Sequence, residues 1–158
     1  MLPRLPSVAL SALAALLLAG GLAMCEHRLA VPNDSPGRPA PEYIQTLLPG
    51  TWLREHSEKG MQVRRLLTLA PDGAFREVVR ITDPRGQVTE YVHEGTWLFD
   101  GTNLKRKYTM MSGKPPSRLR APFATFEIAF KSRNDFVGVD HVYSNRVHYW
   151  RVSPETRL

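Results

Sequence analysis

From residue 50 onward, apolar and polar residues alternate in short runs that are separated by turn residues. Alternation with a period of two is the pattern of half-buried β-strands. Pro71-Asp72-Gly73 and Asp83-Pro84-Arg85-Gly86 are strong turn signals, because proline fixes φ and glycine accepts positive φ. The pattern predicts about eight strands, which cover residues 52–56, 61–70, 74–82, 87–99, 104–111, 123–131, 136–143 and 146–152.

A helical pattern precedes the strands at residues 41–48. Ile44, Leu47 and Leu48 recur at the i, i+3, i+4 spacing of one helix face, and Pro41 suits the first helical position. We therefore expect one short helix before the first strand.

One phrase occurs twice in the strand region. Gly50-Thr51-Trp52-Leu53 returns as Gly95-Thr96-Trp97-Leu98. A glycine two residues before a tryptophan suits a place where the backbone passes close to a large indole, which contributes much buried area. We expect both tryptophans to be buried, and Gly95, inside a long strand, to mark a β-bulge.

Eight short antiparallel strands joined by tight turns predict closure into an up-and-down barrel. Alternation assigns inward positions to two sets of apolar residues on the third and sixth strands. These are Phe75, Val79 and Ile81, and Phe126, Ile128 and Phe130. The expected fold is all-β, an eight-stranded barrel, closed or partly open, with a short N-terminal helix, and it occupies residues 42–158.

The N-terminal region has the composition of an export signal. Residues 1–24 combine Arg4 with an apolar stretch at 8–18, which is short for a membrane span. The single cysteine, Cys25, follows at once, and a lone cysteine excludes an intramolecular disulfide. Residues 25–41 are polar and rich in proline, which predicts a disordered tether.

Leu22-Ala23-Met24-Cys25 resembles the bacterial lipobox, in which the cysteine receives a diacylglyceryl thioether before cleavage. Met24 departs from that pattern, and the alternative is ordinary cleavage after Ala23, which would leave a free thiol. The resemblance implies a membrane anchor at Cys25. Glu26 replaces the aspartate of inner-membrane retention, so the expected location is the outer membrane facing the periplasm, with a soluble periplasmic or secreted protein as the alternative.

The arrangement of motifs over residues 42–152 resembles the small lipocalin-like (calycin-type) domains of bacterial lipoproteins. The resemblance is carried by the helix, the two Gly-Thr-Trp copies, the Pro-Asp-Gly-Ala-Phe hairpin at 71–75 and the closing Tyr149-Trp150-Arg151-Val152. Gly-x-Trp also occurs in avidin-like and fatty-acid-binding barrels, and the first turn is shorter than in true lipocalins. The resemblance implies a binding or scaffolding module whose ligand differs between members.

The last hairpin holds a cluster of polar residues. A two-residue turn at Ser144-Asn145 would place His141 opposite His148 and Tyr143 opposite Arg146. Opposed side chains in such a ladder are about 5 Å apart at Cβ. This register therefore predicts that the two imidazoles lie close together.

The same face of the hairpin includes Trp150 and is expected to point inward. The functional interpretation is a polar end of an apolar cavity that grips a ligand head group through His141, Tyr143, Arg146, His148 and Trp150. The structural interpretation is a cross-strand pair at the barrel rim. A metal site needs a third ligand, for which His93 is a candidate by alternation only. We predict no metal and no cofactor.

Charge suggests a second surface. The chain has a net charge of +6, and residues 105–133 hold eight basic residues against one acidic residue. Lys105, Lys107, Arg118 and Arg120 are predicted to contact an anionic envelope polymer, with a solvated barrel exterior as the alternative. Nucleic-acid binding would need aromatic residues interleaved with these bases on an exposed face, and only Tyr108 qualifies, which argues against it.

The sequence carries none of the common hydrolase, metalloprotease, phosphate-loop or dinucleotide motifs, so we expect no enzyme activity. The expected function is that of an envelope lipoprotein whose barrel binds a small amphipathic or hydrophobic ligand. The alternative is a non-enzymatic envelope assembly or stress protein that contacts a partner through the barrel exterior. A barrel filled by its own side chains would favour the alternative.

Overall fold

The computed structural model describes residues 39–117 and 122–158, which form one short helix and eight strands. The elements are α1 (Pro41–Leu47), β1 (Gly50–Glu58), β2 (Met61–Leu69), β3 (Ala74–Thr82), β4 (Val88–Phe99), β5 (Asn103–Met111), β6 (Phe123–Ser132), β7 (Asp135–Asp140) and β8 (Asn145–Val152). The expected mostly-β chain with eight strands and one short helix is confirmed. Cys25, Arg118 and Arg120, with the predicted signal and nearly all of the tether, lie outside the described residues.

The strands close into a barrel. Each strand pairs antiparallel with its neighbours in sequence, and Thr51–Leu53 of β1 pair with Trp150–Val152 of β8. Closure gives each of the eight strands two neighbours, as the strand count and the tight turns predicted. Within residues 39–117 and 122–158, no helix has the length and hydropathy of a membrane-spanning segment.

The helix closes one end of the barrel, which we call the capped end. The indole Nε1 of Trp52 donates a hydrogen bond to the carbonyl of Leu48, 2.8 Å away. The guanidinium of Arg151 donates to the carbonyls of Leu47 and Pro49 and lies 4.2 Å from the centre of the Trp52 ring. The opposite end, where β7 joins β8, is the open end.

The half of the barrel next to the capped end is filled with side chains. Trp52 is fully buried and packs edge-on against Phe136 and Phe130, at 4.8 and 5.8 Å between ring centres. Trp97 is also buried, and its Nε1 donates to the carbonyl of Ala70. The expected burial of both tryptophans is confirmed.

The bulge predicted at Gly95 is present. The pairing of β4 with β5 changes register between Glu94 and Gly95. A Cβ atom at Gly95 would lie 1.9 Å from the carbonyl oxygen of Lys107 and 2.8 Å from the Phe75 ring. The position therefore requires glycine, because any side chain would collide with the neighbouring backbone.

The register predicted for the last hairpin is wrong. Asp140 pairs with Asn145, so the turn consists of the four residues 141–144 instead of Ser144-Asn145. The carboxylate of Asp140 causes the difference, because Oδ1 accepts hydrogen bonds from the backbone N–H groups of Val142 and Tyr143 and so starts the turn early. Left-handed φ at Ser144 then ends it.

The changed register separates the residues that were expected to face each other. His148 lies opposite Val137, and Arg146 lies opposite Val139. Val147 and Tyr149 belong to the interior core, so His148 and Trp150 face outward, and the predicted inward orientation is also wrong. Trp150 packs instead against an outer apolar cluster, whose buried members are Leu53, Leu66 and Val78.

Candidate functional site

A charged group lies inside the barrel, between the packed core and the open end. Nη1 of Arg106 is 2.9 Å from Oε1 of Glu77, and both side chains are almost completely buried. Nη1 of Arg65 lies 3.5 Å from Oε2 of Glu77, and the Tyr108 hydroxyl donates to the same oxygen at 3.4 Å. His93 is the cross-strand partner of Glu77. We call these five residues the Glu77 cluster.

Strand alternation brings these side chains inward. Glu77 stands between Phe75 and Val79 on the inner face of β3, and Arg106 stands between Leu104 and Tyr108 on the inner face of β5. The strands that carry Glu77 and Arg106 are separated only by β4. The ion pair therefore bridges 29 residues of sequence because the sheet curves around it.

The buried charges hold each other ionised. Burial by itself raises the pKa of Glu77, but the neighbouring Arg106 and Arg65 outweigh it and the net pKa is lowered. Burial acts to lower the pKa of Arg106, but the charge of Glu77 outweighs it and the net pKa is raised. One carboxylate thus faces two guanidinium groups, so this part of the interior carries one excess positive charge.

The other two members are neutral at pH 7. Burial raises the pKa of Tyr108 to about 12, so its hydroxyl keeps its proton and acts as a donor. Burial lowers the pKa of the His93 imidazole, which favours its uncharged form. Neither residue compensates the extra guanidinium.

Several buried polar atoms have no hydrogen-bond partner among the described residues. They are Nε of Arg65, Nδ1 of His93, Nε of Arg106, the Tyr149 hydroxyl and Nδ1 of His56. An unsatisfied buried polar group costs about 1–3 kcal/mol, so such groups normally meet water or a ligand. Three of these atoms, on Arg65, His93 and Arg106, belong to the Glu77 cluster, which therefore has unused hydrogen-bonding capacity.

A cavity of about 610 Å³ reaches this level from the open end. Its floor is polar and consists of Arg65, Glu77, His93 and Tyr108. Its wall and rim are largely apolar, with Asp140 and Thr125 as polar members. The apolar lining residues are Met111, Phe123, Ala124, Val142 and Tyr143. A few convergent polar groups in a mainly apolar cavity of this size are typical of small-molecule sites.

The histidines of the last hairpin do not form a joint site. Nε2 of His141 lies 2.8 Å from a carboxylate oxygen of Glu127, and Nε2 of His148 lies 2.5 Å from one of Asp135. Of the five residues predicted to grip a ligand head group, only Tyr143 lines the cavity. A binding role for the other four, His141, Arg146, His148 and Trp150, stays a prediction from the sequence.

The predicted basic surface is present in part. Lys105 and Lys107 are exposed on the outer face of β5, and Nζ of Lys105 pairs with Asp100 at 2.7 Å. Arg106, between them, points inward to Glu77. A contact of Lys105 and Lys107 with an anionic polymer stays a prediction.

The alternation of residues along β5 is a sequence signal for the Glu77 cluster. Leu104, Arg106 and Tyr108 alternate with Lys105 and Lys107, so period two already placed Arg106 on an apolar face. The count of eight basic residues in 105–133 treats Arg106 as a surface residue, because charged residues are seldom inside.

Within the described ranges, no three His, Cys, Asp or Glu residues are placed to hold a metal ion. A comparison with protein-family models gives no match, and no curated protein is significantly similar to the chain. The function is therefore argued from the chemistry of the Glu77 cluster and the cavity above it.

Proposed function

We propose that the barrel binds a small amphipathic ligand through its open end, with an anionic head group at the Glu77 cluster. The observation that carries the proposal is that Glu77 faces a second guanidinium, that of Arg65, in addition to Arg106. Glu77 already neutralises Arg106 at 2.9 Å, while Arg65 lies farther away and its buried Nε has no partner among the described residues. A carboxylate or phosphate from a ligand would satisfy this group.

The charges of the floor favour an anion over a cation or a neutral polar group. The excess positive charge is enhanced by Arg54, the cross-strand partner of Arg65 on the inner face of β1. Asp140 lines the cavity at its rim, where its Oδ1 is engaged by the N–H groups of the turn. Guanidinium groups bind carboxylate and phosphate with paired hydrogen bonds, which adds specificity to charge attraction.

The cavity wall favours an apolar tail on the same ligand. Met111, Ala124 and Val142 supply apolar surface between the floor and the solvent. Burial of apolar ligand surface contributes about 25 cal/mol per Å². A molecule with an anionic head and a hydrocarbon tail therefore matches both ends of the cavity.

The proposal includes the setting that the sequence predicted. We propose that the barrel is an up-and-down, lipocalin-like module of an envelope lipoprotein, anchored through Cys25 in the outer membrane and facing the periplasm. The lipobox-like Leu22-Ala23-Met24-Cys25 and the proline-rich segment after it support this. Cys25→Ser should abolish labelling by a fatty-acid analogue and release the protein from membranes. A wild-type protein that is not labelled would contradict the anchor.

The alternative function is contact with a protein or an anionic envelope polymer through the barrel exterior. The half of the barrel next to the capped end is filled with side chains, and Lys105 and Lys107 are exposed on the outside. Both features are compatible with this alternative. It predicts no selective small-molecule binding, whereas the cavity above the Glu77 cluster favours the first function.

Three amphiphiles with the same tail separate these functions. The full chain is titrated calorimetrically with dodecanoate, dodecanol and dodecyltrimethylammonium. The two ions are kept below their micelle concentrations, and dodecanol is kept below its solubility limit. We expect dodecanoate to bind at least about tenfold more tightly than dodecanol, since a hydrogen bond to a charged group contributes about 1.5–3 kcal/mol. The cation should bind most weakly. Equal affinities, or no binding of any amphiphile, would reject the anionic site.

A further inference from the structure

The open end of the barrel exposes three large apolar side chains. Phe123 at the start of β6 is 60% exposed, and Val142 and Tyr143 in the β7–β8 turn are 81% and 75% exposed. All three line the mouth of the same cavity. We call them the rim triad. Single exposed apolar residues are common on soluble proteins, but three around one opening form a patch that suggests a contact.

Basic residues flank the rim triad. Lys107 is the cross-strand partner of Phe123 on the outer face, and Arg146 follows the β7–β8 turn. Both are exposed, and neither has an ion-pair partner among the described residues. The nearby acids are engaged locally, because Asp140 accepts the N–H groups of the turn and Glu127 pairs with His141.

This combination fits an anionic lipid surface better than a protein. A stable protein interface buries about 800 Å² per partner in a continuous patch. The rim triad comes from the start of β6 and from the β7–β8 turn, which are two separate segments at the open end. Aromatic and apolar side chains flanked by Lys and Arg are typical of membrane-interface contacts. Lys107 and Arg146 would each also contribute about 1 kcal/mol to binding at an anionic leaflet.

We propose that the open end of the barrel docks on an anionic bilayer, with the rim triad among the lipid head groups and Lys107 and Arg146 against their phosphates. The mouth of the cavity then opens onto the lipid. The docking is inferred only from the rim triad and the two basic residues beside it. That ligand passes between the bilayer and the cavity through this mouth rests in addition on the proposed function.

A local fluorescent label tests the orientation. In the full chain carrying Cys25→Ser, which cannot receive a thioether lipid, a single cysteine is introduced by Tyr143→Cys and labelled with an environment-sensitive dye. The matched control is Leu98→Cys, because Leu98 is exposed at the capped end. Vesicles that contain phosphatidylglycerol should shift the emission at position 143 to the blue and leave position 98 unchanged. No shift at 143, or equal shifts at both, would overturn the docking.

Charge variants provide an independent test. Lys107→Gln/Arg146→Gln should weaken binding to phosphatidylglycerol vesicles by about fivefold for each charge, and added salt should remove the difference. Lys105→Gln/Arg133→Gln removes two bases at the capped end and should have little effect. Equal losses in the two double variants would overturn the docking. Both pairs lie outside the Glu77 cluster, so dodecanoate titration of the same proteins reports separately on the proposed ligand site.

Discussion

Glu77 and Arg106 form an ion pair inside the barrel, with 2.9 Å between Oε1 and Nη1 and side-chain exposures of 1% and 4%. Such a pair is costly to break from one side, because the remaining charge stays buried without compensation. The pair lies at the floor of the cavity, to which Glu77 contributes, while most of the barrel interior is apolar.

The first prediction concerns this pair. Glu77→Gln should lower the free energy of unfolding by about 3–5 kcal/mol, since it leaves Arg106 and Arg65 without their shared carboxylate. Glu90→Gln is the matched control on the outer face, where Glu90 pairs with Arg80 at 3.0 Å in solvent and should lose about 1 kcal/mol or less. Urea unfolding measures both. Similar losses in the two variants would show that the interior pair is not desolvated.

The second prediction concerns mild acid. Burial lowers the pKa of His93 and of His56, so the folded protein binds fewer protons than the unfolded chain, in which histidine titrates near 6.5. The histidine contribution to stability is therefore complete above pH 6.5 and is lost as the pH falls from there through the lowered pKa values. His56→Gln/His93→Gln should flatten the unfolding free energy between about pH 6.5 and 5. A profile that keeps its slope in the double variant would contradict this account.

The third prediction compares two tryptophans. Trp52→Ala should cost about 3–5 kcal/mol, because the indole is fully buried and its Nε1 hydrogen bond to Leu48 is lost with it. Trp97→Ala should behave in the same way. Trp150→Ala should cost clearly less, because that ring lies on the outer face and stays partly exposed. Thermal and urea unfolding measure the stability lost in each variant. A loss for Trp150→Ala as large as that for Trp52→Ala would contradict the outward position of Trp150.

The fourth prediction concerns the bulge. Gly95→Ala places a Cβ atom against the carbonyl oxygen of Lys107, so it should lower stability by at least about 3 kcal/mol or prevent folding. Gly86→Ala is the control, because that turn glycine has a φ of +81° but open space around it. It should cost about 1–2 kcal/mol from backbone strain alone. Equal stability of the two variants would argue against the close approach at Gly95.

The strands and the two buried tryptophans could be read from the sequence because their signals are local. Each of the five connections from β1 to β6 carries a glycine or a proline, and Trp52 and Trp97 each follow a glycine at the same spacing. The eight-stranded barrel then follows from strand number and turn length, which antiparallel pairing converts into closure.

The last hairpin could not be read in the same way. Tyr149 and Trp150 are adjacent, so both faces of β8 carry a large aromatic residue and alternation does not choose between them. The register depends on hydrogen bonds from Val142 and Tyr143 to the side chain of Asp140, which moves the turn by two residues. Short polar side chains that compete for backbone N–H groups are difficult to weigh from sequence alone.

The Glu77 cluster was missed for a different reason. A binary pattern treats every charged residue as a surface residue, whereas Glu77 and Arg106 occupy inner positions of strands that are not adjacent in the sheet. Their pairing becomes visible only when the sheet curves and brings the inner faces of β3 and β5 together across β4. Inner-face charges of opposite sign on β3 and β5 were the available indication.

The most direct test of the anionic site is the affinity for dodecanoate of two neighbouring arginine variants of the full chain. Arg65 points into the cavity, and Arg64 points outward to Glu55 at 2.6 Å, so Arg65→Gln and Arg64→Gln remove the same charge on opposite faces of β2. We predict that Arg65→Gln weakens dodecanoate binding by about tenfold or more in titration calorimetry, while Arg64→Gln binds like the wild type. Equal affinities of the two variants would contradict a head-group site at the Glu77 cluster.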